Sequence, residues 1–295
     1  MEKKRSVRIL SPAKINLFLQ IIGKRPDGYH DLASLMCCIS LYDEIVIKVG
    51  ARGTSIVCSH PEVPQNETNL AYRAATLFLD TLKTSDGAEI ILDKQIPVAA
   101  GLGGGSSNAA GVLLGLNHYF GDPFSRDQLM TMGLSLGADV PFFIFQKPAL
   151  ATGIGEKLEA YSGLPSNHIL LVNPGVKVST AEIYRNLNLR LTKCKKKLTN
   201  ALLKNRGFDA ALHLCNDLET VTASTYPEIH TIKEQLINYG ALGALMSGSG
   251  PSVFGIFSDV ETARNARDAL ARNTDWRLYL ADLILDSGMR LYPFP

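Results

Sequence analysis

The chain has 295 residues, 46% of them hydrophobic and 20% charged, a balance that excludes disorder and leaves room for two packed domains of ordinary size. Its formal net charge of +2 carries no basic excess, so neither nucleic acid nor a membrane is an expected partner, and any phosphate binding must come from local placement. Cys37, Cys38, Cys58, Cys194 and Cys215 show no CxxC spacing, the histidines no zinc spacing, and the basic N-terminus no apolar run, which together suggest a cytoplasmic protein with reduced thiols.

The alternation from Val7 to Ile22 predicts a strand with Ile15, Leu17 and Leu19 on one face and Lys14, Asn16, Phe18 and Gln20 on the other. Lys14 and Asn16 therefore point the same way, and Pro12 just before them marks an edge or a bulge. A lone strand lysine is usually a solvated one; the apolar setting of Lys14, in SPAKINLFL, singles it out. The next segment, GKRPDGYHDL, has turn chemistry in Pro26, Asp27 and Gly28 followed by two rings, Tyr29 and His30. It reads equally as a plain surface loop or as one whose ring faces and edges hold a base. Strands at 44–49 and 54–58, a helix at 69–83 burying Leu70, Ala74, Leu77, Phe78 and Leu82, and a strand at 88–92 lead to a glycine-rich stretch.

That stretch, PVAAGLGGGSSNAAG from Pro97 to Gly111, has Gly101, Gly103, Gly104 and Gly105 followed by Ser106, Ser107 and Asn108. Glycines remove the Cβ atoms that hold backbone away from a ligand, and Val112, Leu113, Leu116 and Phe120 then fall at helical spacing. The pattern predicts an anion cradle of backbone N–H groups at a helix N-terminus. A P-loop is excluded because no lysine lies between Lys94 and Lys147, and a dinucleotide fingerprint fails at Ser106, where its third glycine should be. The cradle must take a cation from elsewhere in the chain. Ser125 with Gln128 forms a capping box for a helix ending at Gly137. In GADVPFFIF, Asp139 stands two residues before Pro141, where spacing alone favours a helix cap; a carboxylate meeting the borrowed lysine is the alternative.

Composition shifts after Glu159, which suggests a division into residues 1–161 and 162–295. The second part begins with a strand from His168 to Asn173, and Ser179 or Thr180 can cap a helix carrying Tyr184 and Arg185. The basic run Lys193 to Lys197 reads as a solvated face, and a helix runs from Pro227 to Gly240. MSGSGPSVFGIF supplies a second glycine turn at Gly248 to Gly250, Ser258 with Glu261 caps a last helix, and Arg277 to Leu285 ends the pattern as a strand. Strands and helices mix in both parts, which predicts an α+β sandwich.

PVAAGLGGGSSNAA resembles the phosphate loop of the GHMP kinases, the superfamily of galactokinase, homoserine kinase, mevalonate kinase and phosphomevalonate kinase, and MSGSGPSVFG is similar to its third motif. SPAKINLFLQIIGKRPDGYHDL, GADVPFF and CNDLE (Cys215 to Glu219) narrow the resemblance to the branch whose acceptor is a cytidine diphosphate conjugate of methylerythritol. The resemblance spans Val7 to Phe257. It implies a two-domain α+β fold, with a ribosomal-protein-S5-domain-2-like N-terminal domain and a ferredoxin-like C-terminal domain, and ATP with Mg²⁺ between them. It also implies Lys14 and Asp139 as the catalytic pair and an ATP loop of Val98, Ala99, Ala100, Gly101, Leu102, Gly103, Gly104, Gly105, Ser106, Ser107 and Asn108. Asn16, Tyr29, His30 and Tyr184 fall on the substrate side. Ala99 and Ala100 depart from the family, which usually has glycines there; the departure implies a stiffer loop with its cradle intact. Two other readings stay open here: a GHMP kinase of the homoserine or mevalonate type, and a catalytically silent nucleotide-binding regulator.

Overall fold

The structure is a computed structural model that describes residues 6–187, 194 and 207–294. Its frame is a long antiparallel pair, β1 (Ser6–Lys24) and β2 (His30–Ala51), in register from Ser6 against Lys48 to Lys24 against His30. The second half of β2 pairs with β4 (Gly87–Asp93), and β4 pairs in parallel with β3 (Ser55–Cys58). The first half of β2 pairs with β5 (Ala149–Gly153), itself paired with β6 (Lys157–Ala160). Helices α1 (Leu70–Leu82), α2 (Gly104–Tyr119), α3 (Arg126–Leu136) and α4 (Val140–Phe145) pack on this sheet. Their apolar stripes, including Phe78, Val112, Leu116 and Phe142, bury against Ile9, Ile45, Ile47 and Ile90. Asn69 caps α1, and Ser125 with Gln128 forms the complete capping box on α3.

The following elements are β7 (His168–Asn173), α5 (Thr180–Asn186), α6 (Ala210–His213), β8 (Cys215–Asn216), α7 (Glu219–Thr225) and α8 (Glu228–Asn238). The described residues end with β9 (Gly243–Met246), β10 (Val253–Phe257), α9 (Val260–Asn273), β11 (Arg277–Ile284) and β12 (Arg290–Phe294). The antiparallel order β11-β7-β10-β9 has α8 and α9 packed on it through Ile232, Leu236, Ala266 and Leu270 against Leu170, Val172 and Val253. This is the ferredoxin-like arrangement within an α+β fold. The two regions share one sheet path, because the end of β11 pairs with β2 and β12 pairs with β1.

Several expectations change. The register of β1 against β2 slips between Pro12 and Ala13 and again between Asn16 and Phe18. The first slip is the bulge that Pro12 forecast. The second reverses the alternation, so Phe18 joins Ile15 and Leu17 in the core instead of sharing a face with Lys14. Strand β12 extends past Leu285. The cap of α9 is Asp259, whose carboxylate accepts from the Thr262 N–H, and not Ser258. Apart from Cys194, the basic run Lys193 to Lys197 lies outside the described residues. Cys194 and Cys215 are joined by a disulfide, which corrects the reading of five reduced thiols: the residues are 21 apart in sequence, and spacing motifs do not reach a pair assembled by tertiary folding. Cys37, Cys38 and Cys58 are free and buried, and burial pushes the Cys37 thiol up to about 12. No helix among the described residues is long and apolar enough to cross a membrane.

Candidate active site

A cleft of ≈ 1030 Å³ receives residues from both parts of the chain: Lys14 and Asn16 from β1, His30 and Ser34 from β2, Asn69, the 97–106 loop, Asp139, Tyr184 from α5, and Gly248 with Ser249. Lys14 is buried, and its Nζ stands 3.5 Å from Asp139 Oδ2. The same ammonium donates to Asn16 Oδ1 at 2.7 Å, Asn16 Nδ2 donates to Ser34 Oγ at 2.8 Å, and Ser34 Oγ donates to the Phe18 carbonyl at 2.7 Å. This relay holds the Asn16 amide oxygen toward the lysine. Asp139 does occupy the N-cap position of α4, as its spacing to Pro141 suggested, yet its side chain caps nothing. Its carboxylate remains 37% exposed in the cleft, free to meet a ligand.

Gly103 is the N-cap of α2, in the left-handed region at φ 68°, and no side chain caps this helix. Ser107 N donates to the Gly103 carbonyl, so the N–H groups of Gly104, Gly105 and Ser106 precede the first intrahelical bond and face an anion-favouring terminus. The helix begins earlier than its apolar pattern indicated, and the last two glycines of the loop form its first turn. The glycines also serve protein packing. A Cβ on Gly103 would lie 3.1 Å from Lys14 Cγ and 3.0 Å from Phe143 Cζ, and the Lys14 N–H donates to the Leu102 carbonyl at 3.0 Å. The loop is thus laid directly on Lys14. Ala99 adopts φ +52°, a left-handed conformation that costs a non-glycine residue roughly 1–2 kcal/mol.

Sequence reasoning missed a second cation. Lys94, one residue past β4, lines the cleft with its side chain only 4% exposed, paired with the fully buried Asp43. Its Nζ lies 3.0 Å from where a Cβ on Gly104 would stand. Lys94 thus stands in the cleft in addition to Lys14, the lysine that the sequence had singled out. A lysine directly after a strand and just before the glycine loop was the available signal.

At the other end of the cleft, Gly28 at φ +90° and the bond from Tyr29 N to Asp27 Oδ1 shape the turn between β1 and β2. Tyr29 is 58% exposed. His30 is buried, and its ring meets Tyr184 with centroids 5.3 Å apart, tilted by 37°. Burial, with the charge of Lys24, lowers the His30 pKa, so the ring stays neutral near pH 7 with one donor and one acceptor nitrogen. Burial, with the charge of Asp139, raises the Tyr184 pKa. The rings in contact are His30 and Tyr184; Tyr29 stands apart at the rim.

Two family models match the chain, GHMP kinases N terminal domain over residues 69–147 and GHMP kinases C terminal over residues 199–275. Fold and cleft thus define a small-molecule kinase of the GHMP class. A 4-diphosphocytidyl-2-C-methyl-D-erythritol kinase of Syntrophotalea carbinolica is 48% identical over 278 residues, covering 94% of this chain and 99% of that protein. The crystal structure of a 4-(cytidine 5'-diphospho)-2C-methyl-D-erythritol kinase superposes with TM-score 0.79 at 34% identity, over 95% of this chain and all of the other. The chain belongs to the 4-diphosphocytidyl-2-C-methyl-D-erythritol kinase family. A homoserine kinase from Cytophaga hutchinsonii superposes with TM-score 0.76 at 18% identity, over 99% of each chain, a likeness of fold alone.

Proposed function

We propose that the protein transfers the γ-phosphoryl group of ATP to the 2-hydroxyl of 4-diphosphocytidyl-2-C-methyl-D-erythritol, a step of non-mevalonate isoprenoid precursor biosynthesis, in the cytoplasm. The observation that carries this reading is the meeting of the Lys14–Asp139 pair with the uncapped N-terminus of α2 in one cleft. Phosphoryl transfer asks the protein for positioning and charge stabilisation more than covalent chemistry. The loop from Val98 to Asn108 wraps the phosphates, with the N–H groups of Gly104, Gly105 and Ser106 turned on their oxygens. Asp139 orients the acceptor hydroxyl and takes its proton, while Lys14 offsets charge on the group in flight. Asn16 keeps Lys14 in place and offers its amide to the acceptor.

Asp139 and Glu62 are the carboxylates among the described residues lining the cleft, and Glu62 is paired with Lys177. Asp139, 37% exposed in the cleft beside Lys14, is the carboxylate that would serve Mg²⁺, which takes one or two carboxylates together with phosphate oxygens. When bound, Mg²⁺ neutralises phosphate charge. We assign the two lobes to residues 1–161 and 162–295, with β12 reaching back to β1. The homoserine and mevalonate alternatives have no use for the His30–Tyr184 ring pair with Tyr29 exposed in the same cleft, and a silent regulator has none for Lys14 beside Asp139. The test is a coupled assay of ADP release over a panel of acceptor alcohols. The cytidylylated methylerythritol is expected to dominate, and equal turnover of methylerythritol phosphate without its cytidine would refute the base clamp.

Tyr29 tests the same clamp from the protein side. Its exposed ring has a free face for the cytosine, and base–aromatic stacking is worth about 1–3 kcal/mol. Tyr29→Ala is expected to raise KM for the conjugate roughly 10- to 100-fold, with ATP affinity and melting temperature unchanged. An unchanged KM would place the base elsewhere.

A further inference from the structure

We propose that Asp43 is a positioning residue for the phosphate site: it holds the Lys94 ammonium and the first turns of α2 in the arrangement that receives ATP. This rests on the kinase reading above and adds a residue that neither touches the cleft nor belongs to its motifs. Asp43 lies on β2 and is fully buried. Its Oδ1 accepts from Gln95 N at 2.8 Å and Ile96 N at 2.9 Å, and its Oδ2 accepts from Asn108 Nδ2 at 2.9 Å and from Lys94 Nζ. Asn108 closes the circuit, accepting from Lys94 Nζ at 3.2 Å through Oδ1 and donating to Ser11 Oγ at 2.8 Å through Nδ2. One carboxylate thus ties the exit of β4, helix α2 and strand β1 together around a single ammonium.

The charges explain why this is more than a knot. A buried carboxylate is costly to desolvate, and a buried ion pair is often replaced by apolar residues without loss of stability. A lysine placed at a helix N-terminus also opposes the helix dipole. Both costs make sense where an anion arrives. Asp43 offsets the Lys94 charge while the cleft is empty of phosphate, and it fixes a flexible side chain against Gly104, so that little ordering is left for ATP binding to impose. Its two bonds to Gln95 and Ile96 set the backbone from which the phosphate loop departs.

The test compares the full-length wild type with Asp43→Asn, Lys94→Met and the double variant, measuring ATP binding by calorimetry without acceptor and KM for the conjugate in the coupled assay. Asp43→Asn is expected to weaken ATP binding about tenfold, the scale of a charge-assisted hydrogen bond, while KM for the conjugate stays within about twofold. Lys94→Met should weaken ATP binding as much or more. Because Asp43 acts in part through Lys94, the loss of ATP affinity in the double variant should be smaller than the product of the two single losses. The double variant leaves no buried ion unpaired, so it decides the matter if Asp43→Asn alone does not fold: its loss beyond that of Lys94→Met should then be less than about tenfold. Equal loss of ATP and conjugate affinity in Asp43→Asn, multiplied losses in the double variant, or unchanged ATP affinity in Lys94→Met would each overturn the proposal. Calorimetry uses ATP alone, so a failure of the acceptor reading would show only in the coupled assay.

Discussion

Asp139→Asn is expected to remove most turnover, roughly 10²- to 10⁴-fold, the range for losing a positioned proton acceptor, while ATP binding measured without Mg²⁺ stays near wild type because the backbone N–H groups and Lys94 hold the phosphates. Lys14→Met should lose roughly 10²- to 10³-fold, the scale for removing a preorganised charge stabiliser. The structure adds a control. Asp139 stands at the N-cap of α4 without accepting any N–H bond there, so Asp139→Ala, compared in a Lys14→Met background that leaves no buried ammonium without its counter-charge, should leave the melting temperature unchanged, whereas removal of a working cap costs about 1 kcal/mol. Loss of stability together with retained activity would return Asp139 to the structural role that its spacing suggested. Near-full turnover in Asp139→Asn or Lys14→Met would end the proposed mechanism.

What could be read from the residues was whatever is written in local order. The glycine loop, the Ser125–Gln128 capping box and the strand from His168 to Asn173 all have short-range signatures, and each is present in the structure. The common direction of Lys14 and Asn16 followed from strand periodicity, and both line the cleft. The same periodicity failed two residues later, because the slip between Asn16 and Phe18 is a property of pairing with β2 and leaves no mark in β1 alone. The pairing of Asp43 with Lys94 was illegible for a related reason. They are 51 residues apart in sequence, and only the antiparallel pairing of β2 with β4, which sets Glu44 against Asp93, brings them together. For Asp139 the spacing alone favoured a cap over a carboxylate meeting a lysine, and the choice between them was not legible locally, since which atoms the carboxylate faces is decided by Lys14 across the cleft.

Gly101→Ala should be the most damaging conservative change in the glycine loop, because it strikes the seam between the two halves of the cleft. Gly101 has φ +77°, and a Cβ there would stand 2.1 Å from the Ser247 carbonyl oxygen and 2.9 Å from the Gly250 nitrogen. Neither is the end of a side chain that could swing aside; both are backbone of the second glycine turn. That turn is already bonded to the loop, with Ser247 Oγ donating to the Gly101 carbonyl at 3.0 Å, and it is held from behind by Asn216 Nδ2 donating to the carbonyls of Met246 and Gly248. The phosphate loop would have to retreat by about an ångström, and a misplacement of that size can cost about 10²-fold in rate. The expected result is a fall of about that size in kcat/KM for ATP, with a lowered melting temperature from the disturbed seam. Left-handed strain alone could mimic the stability loss, and Gly121 separates the two effects: it has φ +79° with nothing within 4 Å of its Cβ position. Gly121→Ala should therefore cost about 1–2 kcal/mol of stability and leave kcat/KM for ATP unaltered. If Gly101→Ala behaves like Gly121→Ala, the contact between the loop and the 248–250 turn does not set the phosphate geometry, and the cradle is organised from the N-terminal half alone.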